Sequence, residues 1–137
     1  MQKHIGTIAE IKFIAKALQY HYNVSVPIGD NLPYDCVVEY EGKLSKIQIK
    51  STCYKITSNR NDCYKIAAGK GSSSKTPYKA QNVDFLVVYI HPLDCWYIIP
   101  YDALKAVSVR LYPHRLECEG KYEKYKERWE ILSQVGS

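Results

Sequence analysis

Asp35, Gln48 and Lys50, with Glu10 further upstream, are the residues of this chain whose types and spacing could do chemistry. A carboxylate and a neutral amide oxygen suit a hard divalent cation, which takes oxygen ligands and typically only one or two carboxylates while keeping its waters. An ammonium on the same surface suits stabilising charge that builds on a reacting phosphate, or orienting the water that attacks it. Together these are the parts that metal-assisted phosphodiester hydrolysis requires. Glu10 completes the set if the helix that carries it packs against this face of the sheet.

The elements that must position these groups are readable from periodicity. Residues 34 to 50, "YDCVVEYEGKLSKIQIK", alternate as a β-hairpin. The tightest closure puts Gly42-Lys43 at the centre of a type II′ turn. That register sets Asp35 opposite Lys50 and Val37 opposite Gln48. Cys36 then meets Ile49 and Val38 meets Ile47 on the other face. Asp35, Gln48 and Lys50 share one face because side chains alternate, and Glu39 and Lys46 form an ordinary cross-strand pair nearer the turn. A longer loop would move the pairing without destroying this clustering.

Residues 3 to 22 read as a helix. Ile5, Ile8, Ile11, Ala15 and Leu18 form its apolar face, widened by Phe13, Ile14 and Ala17. "NVSVP" is a short strand closed by Pro27, and "IGDNLP" is a loop. "VDFLVVYI" (83 to 90) is an almost continuous apolar run, which implies burial on both faces, and "CWYIIP" (95 to 100) follows it after a turn. Asp102 caps a short helix over "ALKAV", "SVRLY" is a further strand, and a last helix runs from about 121 to 133 with Tyr122, Tyr125, Trp129 and Leu132 on one side. Asp84, at the start of its strand, suits a capping role. The expected fold class is α/β or α+β, a sheet flanked by helices in one domain over 1–137.

The net charge is +5, and residues 50 to 80 hold seven lysines and arginines against one acid, Asp62. A basic block of this kind implies a polyanionic partner. "CYKIT" and "DCYKIAA" suggest a second ribbon around "SNRN", and a two-stranded ribbon fits the major groove of DNA. Tyr54, Lys55, Arg60, Tyr64 and Lys65 would line it. Asn59, Arg60 and Asn61 at its tip are of the types that read base edges, and Lys70, Lys75 and Lys79 suit phosphate contacts. The segment of about 53–80 is therefore expected to be a DNA-contacting insertion.

Other classes are disfavoured. The five cysteines form no C-x-x-C pair, so zinc spacing and a disulfide framework are not indicated. The four histidines are scattered. No P-loop, dinucleotide-binding glycine pattern or serine elbow occurs. Neither a secretory signal nor a membrane-spanning run is present, so a cytoplasmic protein with no membrane partner is expected.

A Gly-x-x-x-Glu helix (Gly6, Glu10), then Pro-x-Asp (Pro33, Asp35), then Gln-x-Lys (Gln48, Lys50) resembles the PD-(D/E)xK nuclease superfamily. Gln in place of the acidic residue, with the later "VDFLVVYI" and "WYIIP", is similar to the small homing endonucleases encoded in group I introns. The resemblance implies a restriction-endonuclease-like mixed sheet flanked by helices, Mg²⁺-dependent double-strand cleavage of DNA (Mn²⁺ substituting), and assembly as a homodimer or tetramer. It carries Glu10, Asp35 and Gln48 over as metal-site residues and Lys50 as the catalytic lysine. Two departures are evident: one residue separates Pro33 from Asp35, and Gln48 removes a formal negative charge from the metal site. A junction-selective resolvase and a decayed DNA-binding module are the alternatives.

Overall fold

The structure is a computed structural model. It describes residues 4–29, 31–57, 62–68, 82–106, 108–115 and 120–134. Helix α1 (Ile5–Gln19) is followed by β1 (Asn23–Ser25), the hairpin β2 (Cys36–Tyr40) and β3 (Lys43–Thr52), β4 (Tyr64–Ala67), β5 (Phe85–Ile90), β6 (Cys95–Pro100) and β7 (Ser108–Leu111). Five strands form one mixed sheet in the order β1-β2-β3-β5-β6, with only β3 and β5 parallel. Strands β4 and β7 make a separate antiparallel ribbon. The architecture is α+β.

Two cores flank the sheet. On one face Cys36, Val38, Ile47, Ile49, Val87 and Ile98 pack against α1 and the 3-10 turn Trp129–Ser133. On the other, Leu86, Val88, Ile90, Tyr97 and Ile99 pack under the β4–β7 ribbon and Tyr122. Strand β5 is buried along its whole length, as its continuous apolar run predicts. Asp84 locks its start to β3: its carboxylate accepts from Lys46 N at 2.7 Å while its own N–H donates to Lys46 O at 2.9 Å.

The helix buries a different stripe from the expected one. Ala9, Phe13 and Ala17 are fully buried, whereas Ile8, Ile11 and Leu18 are 43, 61 and 51% exposed. The reason is steric. Two alanines flanking one aromatic let the helix lie close to the sheet, and Phe13 inserts between Trp96 and Trp129 at ring distances of 6.0 and 5.5 Å. Counting branched residues favours the isoleucine stripe, but close approach selects the alanine one. The stripe also decides where Glu10 points, since it lies about 60° around the helix from Phe13 and is half-buried at the core's margin.

Three further expectations are corrected. The hairpin turns at Glu41-Gly42, both at positive φ (50° and 83°), as a type I′ turn requires. Pairing is displaced by two residues, with Cys36 opposite Ile47 and Val37 opposite Lys46. Glu39 therefore faces Leu44 and is not the direct partner of Lys46. No long terminal helix forms: 123–125 and 129–133 are 3-10 turns. Between them Glu127 covers the edge of β6, accepting from Trp96 N at 2.8 Å and donating its N–H to Trp96 O at 2.8 Å, which protects an otherwise open strand edge. After Tyr101–Ala103 the chain turns out of the 3-10 conformation, and Asp102 makes no side-chain cap.

Candidate active site

The pairing of β2 and β3 ends at Cys36–Ile47, but β3 continues to Thr52. The gap opened where β2 departs is filled by Asp35. Its N–H donates to Ile47 O at 2.7 Å, and its carboxylate Oδ2 accepts from Ile49 N at 2.7 Å. The side chain thus stands in for the backbone carbonyl that the ladder would next have offered. One carboxylate oxygen is held by the sheet and the other is left to face the fork.

Gln48 and Lys50 follow on β3, on the same face as Asp35. The displacement of the hairpin by two residues changes partners and leaves faces intact, because the strand period is two. Gln48 is 5% exposed. Its Oε1 accepts from the Tyr101 hydroxyl at 2.9 Å, so one lone pair is engaged and one is open. Contrary to expectation, α1 packs on the opposite face of the sheet, that of Ile47 and Ile49, and Glu10 is linked to the site electrostatically through Asp35. Its pKa is raised by burial and by the Asp35 carboxylate. Burial also raises Asp35, against the lowering effects of the Ile49 N–H and of Lys50. Asp35 and Glu10 add to the burial that pushes the Cys36 thiol up to about 12, so Cys36 stays protonated and is a core residue, not a nucleophile.

All four residues expected to carry chemistry are therefore in electrostatic or hydrogen-bonded contact with the fork or lie on its strand face. The donor set fits a hard divalent cation on an observation of the fold itself: besides burial, the Asp35 carboxylate raises the proton affinity of Glu10, an effect that a cation beside them would reverse. Among the described residues no cluster of three or more His, Cys, Asp or Glu occurs, so any such site would draw on amide or main-chain oxygens and water besides carboxylates. A cleft of about 390 Å³ opens beside the fork, lined by Gly6, Lys50, Thr52 and Tyr54 among others. Tyr101 is a residue that the sequence reading missed. Its signal was faint, since it follows a strand and bears no pattern tying it to Gln48.

The expected DNA-contacting segment is only partly described. Asn59, Arg60, Asn61, Lys70, Lys75 and Lys79 lie outside the described residues. Tyr54 is exposed at the cleft, and Lys55 is exposed with its ammonium 4.0 Å from Asp62. Besides that ion pair, the 53–57 and 62–68 stretches are joined among the described residues by one β-bridge, Ile56–Cys63. Beyond it β4 turns to β7, because Tyr64 and Ile66 need the apolar partners Leu111 and Val109. Tyr64 is 5% exposed and packs edge-on against His114 instead of lining a ribbon surface. Lys65 does point outward.

Comparison with known proteins agrees with this geometry. Residues 1–132 match the PD-(D/E)XK endonuclease family. The fold is similar to that of a bacterial homing endonuclease, I-Ssp6803I, with a TM-score of 0.81 and 28% identity over 98% of this chain and 94% of that one. No curated protein matches the chain.

Proposed function

The chain belongs to the PD-(D/E)XK endonuclease family, and from that premise we propose that it is a site-specific homing endonuclease making Mg²⁺-dependent double-strand breaks in DNA. The observation that supports the reading is the fork at the end of the β2–β3 pairing, where Asp35 interacts with Glu10 and Lys50 while Gln48 and Lys50 share its strand face. The similarity of 98% of the chain to a homing endonuclease supports the same reading.

In this reading Glu10, the free oxygen of Asp35 and the open lone pair of Gln48 hold the cation. Two carboxylates and one amide suit Mg²⁺, with Mn²⁺ able to substitute. When bound, a divalent cation supplies Lewis-acid neutralisation of charge building on the phosphate. Lys50 adds a second positive charge at the reacting phosphate and orients the attacking water. Asp35 is held by the Ile49 N–H and Gln48 by the Tyr101 hydroxyl, so both present their oxygens without reorganising. Residues of the 53–80 segment grip the duplex, and Tyr54, Lys55 and Lys65 are exposed to do so.

One such fork cuts one strand, so cutting both calls for a homodimer or tetramer. The apolar stripe of Ile8, Ile11 and Leu18 left exposed on α1 supports self-association. Among the described residues no helix is long and apolar enough to cross a membrane, and the nuclease reading places the protein in the cytoplasm.

The test is cleavage of a randomised duplex library with Mg²⁺, followed by plasmid carrying the recovered site. Chelation with EDTA should abolish cutting and added Mg²⁺ should restore it. If Asp35→Asn and Lys50→Ala cut as fast as the parent, the fork is not the active centre.

A further inference from the structure

The β4–β7 ribbon buries Tyr64, Ile66, Val109 and Leu111, and its outer face carries Lys65 directly opposite Arg110. Like charges directly opposed across a ribbon destabilise it, so the arrangement calls for a partner that gathers both cations. No ion pair to either is present among the described residues. Beside them lies a cleft of about 400 Å³ lined by Lys105, Ser108, Arg110, Tyr112, Gly120 and Lys121. A neighbouring hollow of about 570 Å³ shares Lys105 and Lys121 and adds Lys124.

Glu117 and Glu119 lie outside the described residues; among the described ones, the carboxylate nearest Lys121 in sequence is engaged elsewhere. Glu123 accepts from the Tyr97 hydroxyl at 2.7 Å through Oε1 and from Tyr112 N at 2.9 Å through Oε2. The wall is tightly packed, since a Cβ on Gly120 would come within 3.1 Å of the Tyr112 ring. Among the described residues the cleft's lining is thus rich in cationic and hydroxyl donors and includes no acid.

We infer that this cleft, which adjoins Lys65 of the basic 53–80 segment and is continued by Lys124, is a second phosphate-binding track that seats the DNA backbone beyond that segment. The inference rests on the endonuclease reading for the identity of its partner. A duplex backbone fits better than a lone phosphate because the cations extend from the ribbon through two adjoining hollows instead of closing around one point. Contacts of this kind position the duplex and carry no sequence information.

The test is equilibrium binding of a fixed duplex of unrelated sequence, in Ca²⁺ to withhold cleavage, across a salt series. Lys105→Ala, Arg110→Ala and Lys121→Ala remove exposed side chains, and unchanged thermal melting confirms that each variant is folded. Each substitution should reduce the slope of log affinity against log salt by about 1, and the triple variant by about 3. The loss should be equal on the recovered target site and on unrelated duplex, and Arg110→Lys should keep the parent slope. A triple variant with the parent's slope overturns the inference, as does weakened binding to anionic phospholipid vesicles with duplex binding intact. If the parent binds duplex but never cuts in Mg²⁺, the endonuclease reading fails while the slopes still judge the cleft. If the parent shows no salt-sensitive duplex binding, both fail.

Discussion

The fork and the basic cleft are built on opposite plans. At the fork each polar group is held: Asp35 by a main-chain N–H of β3, Gln48 by the Tyr101 hydroxyl, Glu10 by its place at the margin of the α1 packing. At the cleft Lys65, Lys105, Arg110 and Lys121 are exposed on a ribbon and turns, with no carboxylate paired to them among the described residues. The difference separates two tasks. Chemistry requires oxygens fixed within tenths of an ångström before substrate arrives, so it draws on the sheet's own hydrogen bonds. Grip on a polyanion requires unneutralised charge at intervals, where adaptable side chains serve well. Substitutions at the two places should therefore fail differently, in rate at the fork and in salt-dependent affinity at the cleft.

The largest effect is expected at Lys50. Lys50→Ala removes the ammonium on the fork's strand face and should lower the single-turnover cleavage rate on the order of 10²–10³-fold, the scale for deleting one preorganised group that stabilises transition-state charge. Duplex affinity measured in Ca²⁺ should change little. A variant that loses affinity while keeping its single-turnover rate would move Lys50 from the fork's task to the cleft's.

The cation should register in stability as well. The folded-state pKa values of Glu10 and Asp35 are raised, so the folded protein binds these protons more tightly than the unfolded chain does. Their contribution to stability is fully present below the ordinary carboxylate range and is lost as pH rises through the raised folded values. Without a cation the charged form of each is disfavoured in the folded protein. Asp35→Asn should then melt no lower than the parent, although it loses activity. Mg²⁺ at a hundred times its Kd should stabilise the parent by about 2.7 kcal/mol, roughly 10 °C in Tm for a chain of this size. A Mg²⁺ shift equal in Asp35→Asn and parent would place the cation elsewhere.

How much of this was legible in the sequence depends on the range of the interaction. Strand faces follow from a period of two, and so Asp35, Gln48 and Lys50 were grouped correctly even though the turn moved from Gly42-Lys43 to Glu41-Gly42. An even displacement preserves the face, whereas an odd one would have buried Lys50. The apolar run of β5 declared its own burial. The helix face was not legible, because Ile8, Ile11 and Leu18 outweigh Ala9 and Ala17 in hydrophobicity, and only the approach of Trp96 and Trp129 to Phe13 selects the smaller stripe. The pairing of β4 with β7 joins residues more than forty positions apart, and no local pattern announces it. The same holds for Tyr101 and Gln48, 53 residues apart.

Tyr101 sharpens the comparison because it is where a held polar group can be loosened without removing it. Tyr101→Phe deletes only the hydroxyl that engages Gln48 Oε1, and frees the amide to turn its NH₂ toward the cation. Groups that orient metal ligands in this way typically contribute 10–100-fold in metal affinity. The expected result is a rightward shift of that size in the Mg²⁺ dependence of cleavage, with the rate at saturating Mg²⁺ largely recovered. Loss of rate that excess Mg²⁺ does not recover, with a lowered Tm, would reduce Tyr101 to a packing residue.

The smallest effect is expected at Gly6, where fold and function should pull apart. A Cβ at this position would meet nothing of the protein within 4 Å, and a glycine inside a helix is destabilising relative to alanine by roughly 0.5–1 kcal/mol. Packing therefore gives no reason for glycine in the first turn of α1. The cleft does: Gly6 lines it alongside Lys50 and Thr52, and an absent side chain lets a ligand's backbone approach the helix closely. Gly6→Ala should raise Tm slightly and lower kcat/KM on the order of tenfold, the scale of one misplaced carbon in a fitted site. The loss should be confined to the fork's side of the comparison, leaving the salt slope of duplex binding at the parent value. A variant that is both more stable and fully active would mean that the substrate does not enter between α1 and β3, and the duplex would then have to reach Lys50 from the face that carries β4 and β7.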